Sequence, residues 1–523
     1  MTYTTAEFST ATRAFREIVG SDWVFVSETA TDLYRDDYSP YAGTDKDIAP
    51  AAAVAPQNTV EVQRVIRVCN DYGIPFWTVS TGKNLGFGGA APMRPWMITL
   101  DLKRMDRIIE VNEDLAFAVV EPGVSYIDLY RHIQERGLRL WMNVPSPGWG
   151  SIIANSLEHG SGYAYQGDHF QNLCGMEVVL PDGDLLRTGM GGMENPIQWH
   201  TLKYGLGAHL DGLFAQSSLG VVTRAGVWLR PEPEAFISAT IKTFGADDLI
   251  PLVDTARNLR LDGVVEGTTR FSVGLTDLGI DPSFSFEGFN GISSPQEMQQ
   301  MIAKVMKEKG LGTWHARMGF YGAERVVKAQ WEEAKAAFSA ISNASAEADF
   351  FRPPFESPKD LGVKTKLIAG VASLADWVAN GSIEGHMLDS PVIPADGQTA
   401  LEAHHLAARI HADFGRSFAG SEMLNRTARE ILMTIGAEVY KNNIEENSKT
   451  IELFKTINTE FAKKGWGEVR AHPALMDTVQ QTFSWNDHAI RRVTEKIKGA
   501  LDPNNVMAPG KNGIALSDQG AQS

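Results

Sequence analysis

Four glycines crowd into the eight residues Gly82-Lys83-Asn84-Leu85-Gly86-Phe87-Gly88-Gly89. A backbone this free of side chains can turn tightly and aim several N–H groups at one point, which makes a nest for diphosphate oxygens. The run is not a P-loop, because GxxxxGK(S/T) is absent, and it is not the dinucleotide fingerprint that opens a helix directly. On its own it reads equally as a glycine-rich surface turn. Further on, Glu121-Pro122-Gly123-Val124 is followed by Pro145-Ser146-Pro147-Gly148-Trp149-Gly150-Ser151 and by the stretch from Asn155 to Gly162. Loops of small residues let the backbone approach a large flat ligand closely, and Trp149 adds bulk among them. His386 and Asp389, three apart on an expected strand, should face opposite ways, and His386 reads as a core or interface histidine. His404-His405 falls mid-helix with no carboxylate at metal-ligand spacing, so it reads as surface and no metal site is expected.

Something must hold those loops. The chain has 523 residues, too many for one compact core, so two domains are expected. Its 43% hydrophobic and 21% charged content is that of a globular protein. A formal net charge of −16 repels phosphate backbones, which argues against a nucleic-acid partner. Two cysteines, Cys69 and Cys174, exclude a disulfide framework and cysteine-rich metal sites, and both read as buried thiols. The first residues lack a basic region followed by an apolar run, and no stretch reaches the roughly 18 apolar residues of a membrane span. A cytoplasmic location without membrane partners is the expectation.

The first half alternates strands and helices. Ala51 to Pro56 reads as a buried strand, and Asn58 caps a helix with Glu61 completing the pair. Val62, Val65, Ile66 and Cys69 then share one face up to Gly73. The strand Pro75 to Ser80 runs straight into the glycine run. Ala116 to Val124 is a strand and turn, and Ser125 with Asp128 opens a helix ending at Gly137. Strands follow at Met176 to Leu186, with a hairpin turn at Asp182-Gly183, and at Gly220 to Leu229. Pro231-Glu232-Pro233 marks a boundary. Beyond it come strand-like AFISATIKTF, helices near Asp247 to Leu259 and Pro295 to Lys309, strand-like TWHARMGFYG, a long helix from Glu324, strand-like IEGHMLDSPVIP and a helix near Asn447 to Lys464. This is an α+β pattern with helices on one face of a sheet. The tail after Ile514 is expected to fray.

Taken together, STGKNLGFGGAAP, VVEPGV, GSIIANSLEHGSGYAYQGDH, GMEVVLPDGDLLRTGMG, LDGLFAQSSLGVVTRAGVWL, GWGEVRAHPALMD, FSWND and DPNNVMAPGKNG occur in order across nearly the whole chain. In this the chain resembles the vanillyl-alcohol oxidase and p-cresol methylhydroxylase family of flavoproteins, and particularly its 4-phenol-oxidising branch. The resemblance implies a two-domain α+β fold: an FAD-binding domain split between residues 1–233 and 466–523, with an inserted α+β cap over 234–465. It implies that Gly82, Lys83, Asn84, Leu85 and Gly86 cradle the FAD pyrophosphate. Ser146, Gly150, Ser151 and Asn155 would line the flavin's other side, Gly160 and Gly162 would continue that wall, and Val221 would meet the adenine end. Arg470 and Lys511 would lie near the pyrimidine edge, where a fixed cation stabilises reduced flavin and favours hydride transfer to N5. Family members favour homodimers or larger assemblies, so a homo-oligomer is expected. The electron acceptor is not legible, and a cytochrome partner would need a docking patch that sequence does not reveal.

The departures bear on the substrate. Phenol-oxidising members hold a phenolate with two tyrosines and an arginine and place an aspartate near N5. Here Phe87 and Val469 stand for the tyrosines, Arg470 is kept, and Ser146 stands for the aspartate. Hydrogen bonds to charged groups are worth about 1.5–3 kcal/mol each, so a phenolate would lose two of three partners at severe cost. A serine is also no carboxylate base. The leading expectation is a hydride-removing enzyme acting on an aromatic or apolar small molecule, with Phe87, Trp149 and Val469 walling the site and Ser146 hydrogen-bonding the substrate. One alternative is 4-alkylphenol or 4-hydroxybenzyl alcohol oxidation with a rearranged anchor. The other is a flavin-binding paralogue without catalysis. Family members often tether the flavin C8 methyl to a cap His or Tyr. The matching stretch is read as Asn425 to Leu432, and between His411 and His472 there is no histidine and only Tyr440 as tyrosine. Non-covalent FAD is therefore expected. Glu430 has Arg470 or a substrate hydroxyl as candidate partners.

Overall fold

The alternation at the start of the chain becomes a small, mostly parallel sheet. The computed structural model describes residues 3–274, 301, 304–306, 308–354, 361–374, 384–416, 418, 420–514 and 516. In it the strands Ala52–Val54, Ile98–Asp101 and Phe76–Val79 run parallel, with Val24–Phe25 antiparallel at one edge. The helix Thr59–Asp71 begins where the Asn58 side chain accepts from the Glu61 N–H at 2.9 Å. Its apolar stripe, Val62, Val65, Ile66 and Cys69, is buried against this sheet, and Gly73 follows its end at φ +59°. Cys69 and Cys174 are both free, buried thiols.

A second sheet of five antiparallel strands pairs Ile108–Asn112, Phe117–Val120, Val221–Trp228, Leu173–Val179 and Leu185–Arg187, in that order. The turn at Asp182-Gly183 closes its hairpin, Leu180 N–H donating to the Asp184 carbonyl at 2.9 Å. Ser125 and Asp128 form a reciprocal capping box for the helix Tyr126–Glu135. The C-terminal segment returns here. Phe76 and Ala508 exchange backbone bonds through Val506 and Phe76 carbonyls at 2.8 Å each. Fully buried Lys498 donates to Asp502 Oδ2 at 2.6 Å and to the Ser218 carbonyl at 3.0 Å. A buried ammonium persists only when its hydrogens are taken up in this way.

The third sheet has nine antiparallel strands. Its strand Ala235–Thr243 alternates faces with period two. Ala235, Ile237, Ala239 and Ile241 join the core made with the helices Leu249–Leu261, Glu324–Phe338, Gly397–Asp413 and Ile444–Lys463. On the other face Phe236 stacks on Tyr321 (5.3 Å between ring centres) and meets Trp141 from the first half. The helices thus cover one face, and the other rests on the rest of the molecule. The last strand of this sheet, Gly467–Glu468, lies past residue 465 and pairs with Pro391–Pro394.

Several elements differ from the reading of the sequence. The helix expected at Asp247 to Leu259 runs Leu249–Leu261. Strands Ser345–Phe351, Glu422–Asn425 and Glu430–Val439 and the helix Trp485–Leu501 lie where the sequence reading placed no element. His404 is packed edge-on against Trp314 at 4.8 Å and is not a surface residue, although His405 is exposed. The helix expected at Pro295 to Lys309 lies largely outside the described residues, as does the tail after Ile514 apart from Leu516.

Candidate active site

The three parts of the chain meet around a cavity of about 500 Å³. Its first wall is the glycine run, which follows directly from the strand Phe76–Val79. Gly86 and Gly88 adopt φ of +86° and +107°, a region costly for any residue with a Cβ. There is no room for one either: a Cβ on Gly86 would stand 2.9 Å from the His386 ring, and one on Gly88 would stand 2.5 Å from Pro473. The loop is thus pressed between the large sheet and the C-terminal segment. Within the described chain the N–H groups of Gly82 to Gly86 meet no hydrogen-bond acceptor. Backbone donors left unpaired beside a cavity suit an anionic ligand, and a dinucleotide's diphosphate fits that row.

Asn84 organises this wall. Its carbonyl accepts from Phe87 and Gly89 N–H at 3.0 and 3.2 Å, and its Oδ1 accepts from Arg470 Nη2 at 2.5 Å. The Arg470 guanidinium also lies over the Phe87 ring, 4.3 Å from its centre. Burial works against the Arg470 charge, while Glu158 and Glu468 support it. Glu158 itself accepts from Lys511 Nζ at 2.6 Å. Burial alone would raise its carboxyl, but Lys511 and Arg470 hold it below the usual range.

Of the residues named from the sequence, Gly82, Lys83, Asn84, Leu85, Phe87, Ser146, Trp149, Gly150, Ser151, Asn155, Val221, Arg470 and Lys511 all line the cavity. The Lys83 ammonium sits 5.4 Å from the Trp149 ring centre. The Ser151 hydroxyl is already committed: it caps the helix Ile152–Leu157 and donates to the Pro122 carbonyl at 2.6 Å. Gly86, Gly160, Gly162 and Val469 do not lie on the wall formed by the described residues. Val469 lies in the bend that follows the strand Gly467–Glu468, and its neighbour Arg470 takes the cavity side. The Val469 carbonyl instead accepts from Gln216 Nε2 at 2.5 Å.

Other placements correct the sequence reading. His386 is on the cavity wall, from the strand Gly385–Asp389, with its ring edge-on to Tyr38 at 4.9 Å. Burial holds its imidazole below the usual histidine range. Asp389, on the opposite face, is fully buried. Burial and the neighbouring Glu468 push its carboxyl up, and burial pushes Glu468 up to about 8. Glu430 pairs with Arg426 at 3.2 Å, not with Arg470. None of residues 425–432 lines the cavity, so the stretch read as the tether position is elsewhere. Sequence reasoning missed Tyr38, Glu158, Leu388, Pro473 and Met476 as wall residues. Glu158 carried a signal, as a lone carboxylate inside a small-residue block opposite two expected cations. Tyr38 carried none. Among the described residues, no helix is long and apolar enough to cross a membrane.

Comparison with known proteins assigns this architecture. A family model described as an FAD binding domain matches residues 50–189. The chain is 30% identical to the 4-cresol dehydrogenase (hydroxylating) flavoprotein subunit of Pseudomonas putida, over 98% of this chain and 97% of that one. Among solved structures it is similar to p-cresol methylhydroxylase with substrate bound, with TM-score 0.90, 30% identity and 98% of both chains covered. It is also similar to 4-ethylphenol oxidase from Gulosibacter chungangensis in its isoeugenol complex, with TM-score 0.91, 31% identity and the same coverage. The cofactor these matches assign is FAD.

Proposed function

Since the chain belongs to the vanillyl-alcohol oxidase and p-cresol methylhydroxylase family of FAD-dependent oxidoreductases, we propose that it removes a hydride from an aromatic or apolar small molecule, at a carbon bearing oxygen or at an activated C–H. It is an enzyme of the oxidase or dehydrogenase type. In this proposal residues 1–233 and 466–523 bind FAD and 234–465 form the cap. The N–H groups of Gly82 to Leu85 hold the diphosphate and Val221 meets the adenine. Ser146, Gly150, Ser151 and Asn155 line one side of the ring, and Arg470 and Lys511 stand at its pyrimidine edge. Bound FAD supplies the two-electron acceptor.

The protein's own part is charge and shape. Lys511 is paired with Glu158 at 2.6 Å. Arg470, held by Asn84 Oδ1 and lying over the Phe87 ring, is a cation at the cavity fixed before the reaction starts and able to stabilise negative charge as it develops. Phe87 and Trp149 shape the substrate side, and the Ser146 hydroxyl orients a substrate oxygen.

The observation that carries this reading is Arg470 clamped between Asn84 Oδ1 and the face of Phe87. Where a tyrosine would offer a hydroxyl to a phenolate, Phe87 offers only its ring. Anaerobic mixing with aromatic and terpenoid alcohols and with alkylphenols, followed by flavin absorbance, tests it. Bleaching by alcohols that lack a phenol supports the reading, and protein that neither contains nor takes up FAD contradicts it.

A second reading, oxidation of 4-alkylphenols with a rearranged anchor, is favoured by Tyr38, which lines the same cavity and brings a phenolic hydroxyl from a different segment. Flavin attachment also belongs here. The expectation of non-covalent FAD rested on residues 412–471, whereas the histidine on the wall is His386. Intact mass after acid denaturation separates free FAD from FAD tethered at His386. Self-association and a cytoplasmic location are part of the proposal, and light scattering on the purified holoenzyme tests the first.

A further inference from the structure

Gly160 and Gly162 fall within the small-residue stretch that resembles a flavin wall, yet neither reaches the cavity. What they do touch is specific. A Cβ on Gly160 would stand 2.2 Å from Asn155 Oδ1, and one on Gly162 would stand 2.4 Å from His169 Nε2 and 2.3 Å from Asn143 Oδ1. Asn155 does line the cavity. Behind it, away from the cavity, its Oδ1 is 3.1 Å from the Tyr126 hydroxyl and 2.5 Å from His169 Nδ1, and Tyr126 and His169 are themselves 2.8 Å apart. Tyr126 and His169 are 3% and 2% exposed.

The hydrogen positions follow from what is left over. His169 Nε2 is buried and has no partner among the described residues. A buried N–H without an acceptor is rarer and costlier than a bare lone pair, so the proton sits on Nδ1. Burial, with Arg426 and Arg470 nearby, drives the imidazole down to about 3, so it stays neutral at working pH. Nδ1–H and the Tyr126 O–H then both donate to Asn155 Oδ1, using its two lone pairs. The amide cannot flip without facing donors with donors. Its Nδ2 hydrogens are left for the cavity.

We propose that Tyr126 and His169 are positioning residues, a buried clamp that fixes the Asn155 amide with its N–H edge toward the cofactor, and that Gly160 and Gly162 serve the cofactor by making room for this clamp. The proposal rests on FAD occupying the cavity. Asn155 shares an end of the cavity with the cations, because Glu158 one turn later pairs with Lys511 and Arg470 acts on both Tyr126 and His169. A donor locked there stabilises negative charge on the reduced ring without reorganising.

The test is the two-electron reduction potential of the holoenzyme, measured against a reference dye. It compares wild type, Tyr126→Phe, His169→Phe, Asn155→Ala and the His169→Phe/Asn155→Ala double variant. Loss of a hydrogen bond to developing charge should make reduction less favourable by about tenfold in equilibrium constant, or about 30 mV for a two-electron couple. His169→Phe should approach Asn155→Ala, Tyr126→Phe should shift the same way by less, and the double variant should equal Asn155→Ala. Effects of the two sites that simply add would overturn the proposal. So would potentials of His169→Phe and Tyr126→Phe that match wild type. If His169→Phe does not fold, Tyr126→Phe combined with Asn155→Ala provides the same cycle. A wild-type protein without a flavin spectrum would refute the FAD reading itself, a distinct outcome.

Discussion

The two walls of the cavity are built on different principles. The proposed cofactor wall is backbone: a glycine run held by the Asn84 carbonyl and pressed between His386 and Pro473. The proposed substrate wall is side chains, chiefly Phe87 and Trp149, beside the Arg470 cation. The first wall is fixed by geometry: Gly86 and Gly88 have positive φ and no room for a Cβ. The second is fixed by chemistry, so it can change with the substrate while the fold persists. Phe87 beside Arg470 sits on that second wall, in a chain 30% identical to a 4-cresol dehydrogenase subunit over 98% of its length.

The contrast can be broken most severely at the cofactor wall. Gly88→Ala puts a Cβ 2.5 Å from Pro473 at a φ of +107°. The loop must move, and the purified variant should lose nearly all its flavin absorbance. At the boundary between the walls, Arg470→Met removes the cation, leaving Asn84 Oδ1 and the Phe87 face without it. Loss of one such electrostatic donor should lower kcat by about 10²–10³ with flavin content retained, as read by turnover per bound FAD. On the substrate wall, Phe87→Tyr adds one hydroxyl beside Arg470. KM for 4-alkylphenols should fall by about tenfold, and KM for alcohols lacking a phenol should stay unchanged.

The smallest effect lies behind the walls. Burial raises Glu468 from an ordinary carboxyl value of 4.5 to about 8. Between those values the unfolded chain has lost the proton and the folded chain keeps it, so stability falls as pH rises. Its contribution is complete below about pH 4.5 and is lost as pH passes through about 8. Glu468→Gln should flatten this part of the curve of Tm against pH, and a variant with the same slope as wild type would remove Glu468 as the source.

Much of this arrangement was legible in the sequence. Helix caps at Asn58 and Ser125 and the turn at Asp182-Gly183 are local rules and appear as read. The glycine run and Arg470 are both at the cavity, although nearly four hundred residues separate them. What stayed hidden depends on tertiary contact. His386 reaches the wall because the large sheet lies across the loop, and Tyr38, from the N-terminal segment, packs against its ring. Val469 is off the wall because the chain bends just after the two-residue strand Gly467–Glu468, a local turn that the sequence pattern does not announce. Gly160 and Gly162 make room for Asn155, which lines the cavity, and for His169 behind it, so they are one layer removed from the wall.

The substrate wall is tested most directly by paired compounds that differ only at the para oxygen, such as a 4-hydroxybenzyl alcohol and its 4-methoxy ether, mixed anaerobically with the holoenzyme. If Phe87 and Arg470 form a wall with no phenolate anchor, the ether should bleach the flavin at least as fast as the phenol. Bleaching by the free phenol alone would contradict that account and establish the anchored-phenol reading.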